Sequence, residues 1–166
     1  MNQPPQAANA LHTTTHPKGA KTMRYRKLSE HLLIAKLPTE TIKIPDFSSK
    51  FCCFFLAEHT EDTELIRRQA KYLFMEDCFD FAFFGTKREI WKGVFDQVQD
   101  EMYPDLDTDV YAATTWLDVD LFCRYLDSVL TSYESWFQDC FLFYDDEKVM
   151  RSLVERLKGM GPYVWE

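Results

Sequence analysis

This sequence has little glycine, no long apolar run and fewer basic than acidic side chains. Only 5 of its 166 residues are glycine, which excludes collagen-like and glycine-rich disordered chains. No apolar stretch reaches about 18 residues, so we expect no transmembrane helix and no membrane partner. The first residues also lack the apolar core of a secretory signal, so we expect a cytoplasmic protein.

The cysteines show neither a disulfide nor a zinc pattern. Their number is odd, none belongs to a C-x-x-C pair, and most lie in apolar runs. Free cysteine is among the most buried residue types. We therefore expect small core side chains in a reducing compartment rather than disulfides or metal ligands. The five are Cys52, Cys53, Cys78, Cys123 and Cys140.

Several motifs that carry chemistry are also missing. The chain has no G-x-G-x-x-G, no G-x-x-x-x-G-K-[ST], no G-x-S-x-G and no H-E-x-x-H. Only His31 and His59 follow the first 22 residues, so a hydrolase triad or a zinc enzyme has little support. We expect no cofactor and no metal. The scarcity of catalytic motifs and histidines favours a non-enzymatic role over an enzyme.

Acidic side chains dominate the body of the chain. Residues 1–30 carry a formal charge of +4, whereas residues 31–166 carry −12. An acidic body repels phosphate backbones, so we expect no direct nucleic-acid binding. Residues 100–147 contain 13 acids and a single base, Arg124. A face of one sign attracts an oppositely charged protein, although a solvated surface that resists aggregation has the same composition.

Composition divides the chain into three parts. Residues 1–22 are rich in Pro, Gln, Ala, Asn and Thr, which is typical of a disordered tail, here a basic and polar one. Residues 23–50 form an N-terminal extension, with either a short helix from Ser29 to Leu37 or an edge strand at "TIKI", residues 41–44. Residues 51–166 form the folded domain.

Four apolar runs of strand length alternate with helical patterns. The runs cover residues 51–57, 79–84, 110–116 and 140–144. Strands that are apolar on both faces are typical of a parallel sheet with helices on both sides. We therefore predict an α/β fold, a single Rossmann-like three-layer domain of four consecutive strand–helix units around a parallel sheet, with the four runs as parallel neighbours.

The succession "DCFDFAFFG", a Trp-bearing helix and "ATTWLDVD" resembles a small uncharacterised bacterial α/β domain family. In that family a Gly-Cys pair precedes the second strand and a Thr-Thr-Trp-His motif follows the third. The resemblance covers about residues 50–146 and implies the fold and a shared crevice, without a catalytic role for any residue. Asp77 stands where the family has Gly, and Leu117 where it has His.

Polar residues gather where the four predicted strands end. Open parallel sheets bind ligands beyond the carboxyl ends of their strands, so we expect a ligand- or partner-binding site there. Its candidate residues are Glu58, His59, Thr86, Lys87, Arg88, Thr114, Thr115, Trp116, Asp118, Asp145 and Asp146.

Most of these candidates also have a structural interpretation. His59 could act in acid–base chemistry, but a solvated loop histidine is commoner. Thr86, Lys87 and Arg88 open a helix, where backbone N–H groups suit an anion, and Thr86 with Glu89 fits a capping box. Trp116 suits a partner platform or a lid on the core.

The acids among the candidates could hold Mg²⁺, but helix capping explains them better. Asp118 is a good N-cap for the third helix, and either Asp145 or Asp146 for the fourth. We therefore expect no metal at these carboxylates.

Three functions follow, in order of preference. The first is a non-enzymatic protein-binding module, of the inhibitor or immunity type, whose acidic, aromatic-studded surface engages a basic protein. The second is a small-molecule or nucleotide-binding domain at the carboxyl edge of the sheet. The third is a metal-dependent phosphoesterase that uses the carboxylates.

Overall fold

The protein is described by a computed structural model for residues 23–45, 51–78, 80–105, 112–116, 118–131 and 139–160, with the backbone alone for 112–116 and 131. The strands are β1 (Arg26–Ser29), β2 (Leu32–Lys36), β3 (Phe51–Leu56), β4 (Asp80–Phe84), β5 (Ala112–Trp116) and β6 (Asp139–Tyr144). The helices are α1 (Thr63–Met75), α2 (Arg88–Met102), α3 (Val119–Thr131) and α4 (Glu147–Met160).

All six strands form one sheet in the order β1-β2-β6-β3-β4-β5. Every neighbouring pair is parallel except β1 and β2. The predicted α/β class is confirmed, and so is the parallel pairing of the four apolar runs. The sheet is nevertheless mixed and does not consist of four strand–helix units alone, because β1 and β2 add a hairpin at one side.

The strand order reverses between β3 and β6. From β3 the chain steps to β4 and β5 on one side, and β6 then returns to the other side of β3. Leu56 pairs with Tyr144 at the carboxyl ends of these two strands. Such a reversal separates the two loops that leave the strands, and open α/β sheets bind ligands in the crevice between them. The fold therefore places the candidate site at the β3–β6 seam.

The two faces of the sheet carry separate hydrophobic cores. Cys53 and Phe55 of β3 pack under α1 and α2, whereas Cys52 and Phe54 pack under α3 and α4. This alternation explains why the run at 51–56 is apolar throughout, since both of its faces are buried. Trp91 of α2 stacks on Phe55 with ring centroids 4.8 Å apart, so its indole is part of the core under α1 and α2.

Residues 23–45 differ from both expectations. Residues 29–37, where we expected a short helix, instead contribute to β1 and β2, and residues 41–44 form no strand. β2 pairs with β6 along its whole length, so the hydrogen bonds of a sheet replace those of a helix. Leu32 and Ile34 of β2 are buried in the α3–α4 core. Tertiary pairing has therefore overridden local helix propensity.

Residues 40–44 are fixed by hydrogen bonds to α1 instead. The buried amide of Gln69 accepts from the backbone nitrogen of Ile42 at 2.6 Å and donates to the carbonyl of Glu40 at 2.7 Å. The hydroxyl of Tyr72 accepts from the nitrogen of Ile44 at 3.0 Å. Side chains of α1 thus provide the partners that a neighbouring strand would give.

Within the described residues, no helix has the length and apolar character needed to cross a membrane.

Candidate functional site

Asp145, at the end of β6, holds the loop that follows β3. Its Oδ1 accepts from the backbone nitrogen of Glu58 at 2.8 Å, and its Oδ2 accepts from those of His59 at 2.9 Å and Thr60 at 2.7 Å. Burial alone would raise the pKa of this carboxyl, but the three backbone donors together outweigh burial and leave the pKa lowered. The carboxylate is therefore charged at neutral pH and occupies three consecutive amides.

Residues 57–60, which we call the β3 loop, are also tied to the second strand–helix turn. The hydroxyl of Thr86 donates to the carbonyl of Glu58 at 2.7 Å, and Nε1 of Trp91 donates to the carbonyl of Thr60 at 2.9 Å. Hydrogen bonds from both sides hold this loop in one conformation. The role of Trp91 as a donor was missed from the sequence, where its place in the apolar stripe of α2 suggested packing alone.

Gly85 makes the close approach of the two turns feasible. Its φ is +102°, a conformation that side chains rarely adopt. A Cβ there would lie 2.4 Å from the carbonyl oxygen of Ala57 and 2.9 Å from Oε1 of Glu58. A side chain at this position would therefore push the β3 loop away.

His59 and Asp146 form an ion pair at the surface of the crevice. Nε2 of His59 lies 2.7 Å from Oδ2 of Asp146, and 67% of the histidine side chain is exposed. The hydrogen bond to Asp146 is the main cause of the raised pKa of His59. Oδ1 of Asp146 accepts from the nitrogen of Val149 at 2.9 Å, so Asp146 is the cap of α4 and Asp145 has the different role given above.

The predicted anion corner at residues 86–88 is already engaged within the protein. Nζ of Lys87 lies 2.6 Å from Oε2 of Glu61, and Nη1 of Arg88 donates to the carbonyl of Gly85 at 3.1 Å. The hydrogen bond from Lys87 is the main reason why the pKa of the exposed Glu61 is lowered. Glu61, adjacent to the β3 loop, was missed from the sequence because its partner lies on another turn.

The capping box proposed for α2 is wrong. The N-cap of this helix is Lys87, which makes no side-chain cap hydrogen bond. Thr86, the predicted cap, instead donates its hydroxyl to the β3 loop. The S/T-x-x-E spacing was present, but the tertiary acceptor at residue 58 competes for the hydroxyl.

The end of β5 lies at the same edge of the sheet. Trp116 pairs with Phe84 in the strand register, which places residues 114–116 at the edge beside the β4 turn. The side chains of Thr114, Thr115 and Trp116 lie outside the described part of the chain. Oδ1 of Asp118 accepts from the nitrogens of residues 120 and 121 at 2.7 and 3.1 Å, so this acid caps α3 as predicted.

Several acids between residues 100 and 147 have basic partners. Glu101 pairs with Arg67 at 2.5 Å, and Asp120 pairs with Arg156. Glu147 and Asp139 have more distant partners in Arg151 and His31, at 3.8 and 3.9 Å. These pairs reduce the negative charge that this half of the chain presents, so the unpaired acids around the crevice matter more than the total count.

The carboxylates of the crevice do not converge on one point. In the described part of the chain, no group of three or more His, Cys, Asp or Glu side chains is placed to hold a metal ion. Asp118 and Asp146 cap helices, and Asp145 binds the β3 loop. The structure therefore brings Glu58, His59, Asp145 and Asp146 together without forming an oxygen cage.

Comparisons of this chain with models of protein families, with curated proteins and with solved structures found no match. The resemblance to a bacterial domain family therefore stays a prediction, and the geometry of the crevice is the basis for the function considered next.

Proposed function

We propose that this protein is a non-enzymatic binding module, of the inhibitor or immunity type, that presents the acidic carboxyl edge of a cytoplasmic Rossmann-like domain to a basic protein. The observation that carries the proposal is the carboxylate of Asp145, which accepts hydrogen bonds from three consecutive amides of the β3 loop. This contact both fills an anion site and makes the loop rigid.

The contact argues against a nucleotide ligand. Successive backbone N–H groups near a helix start are the donors that hold phosphate in α/β domains. Here a built-in carboxylate takes those donors, and its charge would repel a phosphate that approached them. Lys87, one of the two candidate cations of this corner, is paired with Glu61. To bind here, a phosphate would have to displace the Asp145 carboxylate from the loop amides and separate Lys87 from Glu61.

The same geometry gives no support to a phosphoesterase. Such an enzyme needs carboxylates that share one cation. Asp145 and Asp146 instead direct oxygens to backbone nitrogens of different segments. Their positions are explained by loop anchoring and helix capping.

A cationic protein suits the remaining charges. Glu58 is partly exposed at the crevice, beside the ion pair of His59 and Asp146. Asp145 adds a further negative charge that the loop amides solvate without neutralising. Acids at an exposed edge attract a basic surface and accelerate its association. A loop that is already ordered loses little conformational entropy when it binds.

Affinity capture from the native cytoplasm at low and at high salt tests the proposal. Wild type should retain a basic protein at low salt and release it at high salt, and Glu58→Gln should retain about tenfold less, because a charge at the crevice is lost. Glu76→Gln is the matched control, since Glu76 is exposed at the end of α1, beyond the opposite edge of the sheet.

Equal retention by wild type and Glu58→Gln would contradict the proposal. So would recovery of a nucleotide or another small anion as the ligand that depends on the crevice.

A further inference from the structure

One carboxylate of the crevice has two different partners. Oδ1 of Asp146 accepts from the backbone nitrogen of Val149 at 2.9 Å and caps α4, whereas Oδ2 lies 2.7 Å from Nε2 of His59. Because each oxygen has its own partner, the helix cap does not depend on the imidazole. Departure of the ring would leave the cap in place and make one oxygen of a charged group available to another cation.

The ring of His59 can leave Asp146 without unfolding the loop that carries it. The backbone nitrogen of His59 donates to Oδ2 of Asp145 at 2.9 Å, and the nitrogens of Glu58 and Thr60 donate to the same carboxylate. The loop is therefore held through its backbone, not through the imidazole. The side chain of His59 is 67% exposed, so little packing opposes its movement.

Three acids from two parts of the fold act on His59. Asp146 lies at the start of α4, Asp145 at the end of β6, and Glu58 on the same loop as the ring. Each favours the imidazolium, and the hydrogen bond to Asp146 is the main cause of the raised pKa of His59. The charged form of the ring is thus tied above all to the contact with Asp146.

The β4 turn, which packs against the same loop, contributes two basic side chains. Lys87 pairs with Glu61 at 2.6 Å, and Arg88 donates to the carbonyl of Gly85 at 3.1 Å. Neither contact involves His59. Carboxyls titrate near pH 4, and Lys and Arg above about pH 10, so these groups keep their charge between about pH 6 and 8. Among the groups named here, His59 is the one whose charge changes near neutral pH.

We propose that His59 is a pH-sensitive switch for the basic partner of the crevice. The protonated ring occupies Asp146 and competes with a cationic side chain of the partner, and loss of the proton releases the carboxylate to that side chain. The inference rests on the proposed function and adds its regulation. The module binds more weakly when His59 is charged and more tightly when it is neutral.

Binding and proton release are linked in this scheme. A guanidinium or ammonium group that takes Asp146 removes the main cause of the raised pKa of His59, so the complex holds this proton less tightly than the unbound protein does. Linkage is reciprocal. The affinity for the cation therefore rises with pH between the pKa of His59 in the complex and its higher pKa in the unbound protein, and it is constant on either side of that range.

Calorimetric titration with an octa-arginine peptide at pH 6 and pH 8, in low salt, tests the switch. The peptide keeps its full charge at both pH values. Wild type should bind about threefold more tightly at pH 8, since a pair of exposed charges contributes roughly that factor. His59→Gln, whose amide carries no charge, should bind nearly equally at both pH values and about threefold more tightly than wild type at pH 6.

His31→Gln is the matched control for this titration. His31 is half exposed and precedes β2 at the amino edge of the sheet, on the opposite side from the crevice. This variant should keep the wild-type pH profile. NMR titration of the His59 ring with saturating peptide gives a second readout, and the pKa should be lower in the complex than in the unbound protein.

Equal pH profiles in wild type and His59→Gln would overturn the switch, and so would an unchanged or higher pKa of His59 in the complex. Weaker binding of His59→Gln than of wild type at pH 6 would also overturn it, because the ring would then support the partner instead of competing with it. If neither protein bound the peptide at either pH, the proposed function itself would be contradicted, and the switch with it.

Discussion

Oδ2 of Asp145 lies 2.9 Å from the backbone nitrogen of His59, across the seam where the strand order reverses. The place where a parallel sheet offers amides to a ligand is thus filled by a side chain of the same chain. This relationship ties the stability of the β3 loop to the charge of one carboxylate.

Replacing Asp145 should destabilise the protein. Asp145→Ala leaves three backbone donors without their acceptor, and we expect a loss of about 2–4 kcal/mol in the free energy of unfolding. Urea melts measure the loss. The control is Asp105→Ala, at an exposed position, which should change stability by less than about 0.5 kcal/mol.

The pH dependence of stability checks the same contact. The pKa of Asp145 is lowered in the folded state, so its contribution is present above the unfolded value of about 3.9 and is lost as pH falls through the folded pKa. Asp145→Asn should therefore lose this part of the acid-induced destabilisation. Identical acid profiles of wild type and Asp145→Asn would refute the charged contact.

The ion pair of His59 should be visible in its titration. Its raised pKa depends chiefly on Asp146, so any stability from the pair is complete below the unfolded pKa of about 6.5 and is lost as pH rises through the folded pKa. Asp146→Asn keeps a good N-cap but removes the charge. NMR titration of the His59 ring should show a lower pKa in this variant. Glu76→Gln is the control, and no change in Asp146→Asn would rule out the pair.

Gln69 should be essential for the position of residues 40–44. Gln69→Leu leaves the buried nitrogen of Ile42 without its acceptor and the carbonyl of Glu40 without its donor, so we expect a loss of about 2–3 kcal/mol. Urea melts measure the loss, and hydrogen exchange should show that the amide of Ile42 loses protection. Gln97→Leu, at an exposed position of α2, should leave both unchanged. Retained protection would show that packing alone holds the segment.

The role of Trp116 remains a prediction with two distinguishable outcomes. If the indole covers the core, Trp116→Ala should cost about 3–5 kcal/mol of stability, as for a buried aromatic. If it contacts a partner, stability should change little while retention of the captured protein falls. Urea melts and affinity capture on the same variant separate these results. Large destabilisation with unchanged capture would remove Trp116 from the site.

The central strands could be predicted from the sequence because burial on both faces makes their consecutive residues apolar. The run at 51–56 is apolar at every position, which only a strand covered on both faces requires. The β1–β2 hairpin was missed because the pairing of β2 with β6 joins segments more than 100 residues apart. Residues 41–44 alternate like a strand, but their partners are Gln69 and Tyr72 on a helix, which no local pattern reveals.

The edge of the sheet at which the candidate site lies could also be predicted from the sequence. The hydrogen bonds between the loops at that edge could not. Asp145 and Asp146 are adjacent acids before a helix, so either could be the cap. Only the strand order shows that the β3 loop lies beside Asp145. The contact of His59 with Asp146 depends on the same order, which composition and spacing do not specify.

The most direct test of the central claim is an NMR titration of backbone amides with two probes, magnesium ATP and an octa-arginine peptide. The claim is that Asp145 closes the anion site and leaves an acidic surface for a cation. It predicts that ATP leaves the amides of residues 58–60 unshifted at millimolar concentration, whereas the peptide shifts them in wild type, less in Glu58→Gln, and not at high salt. Shifts at residues 58–60 with ATP, and none with the peptide, would contradict it.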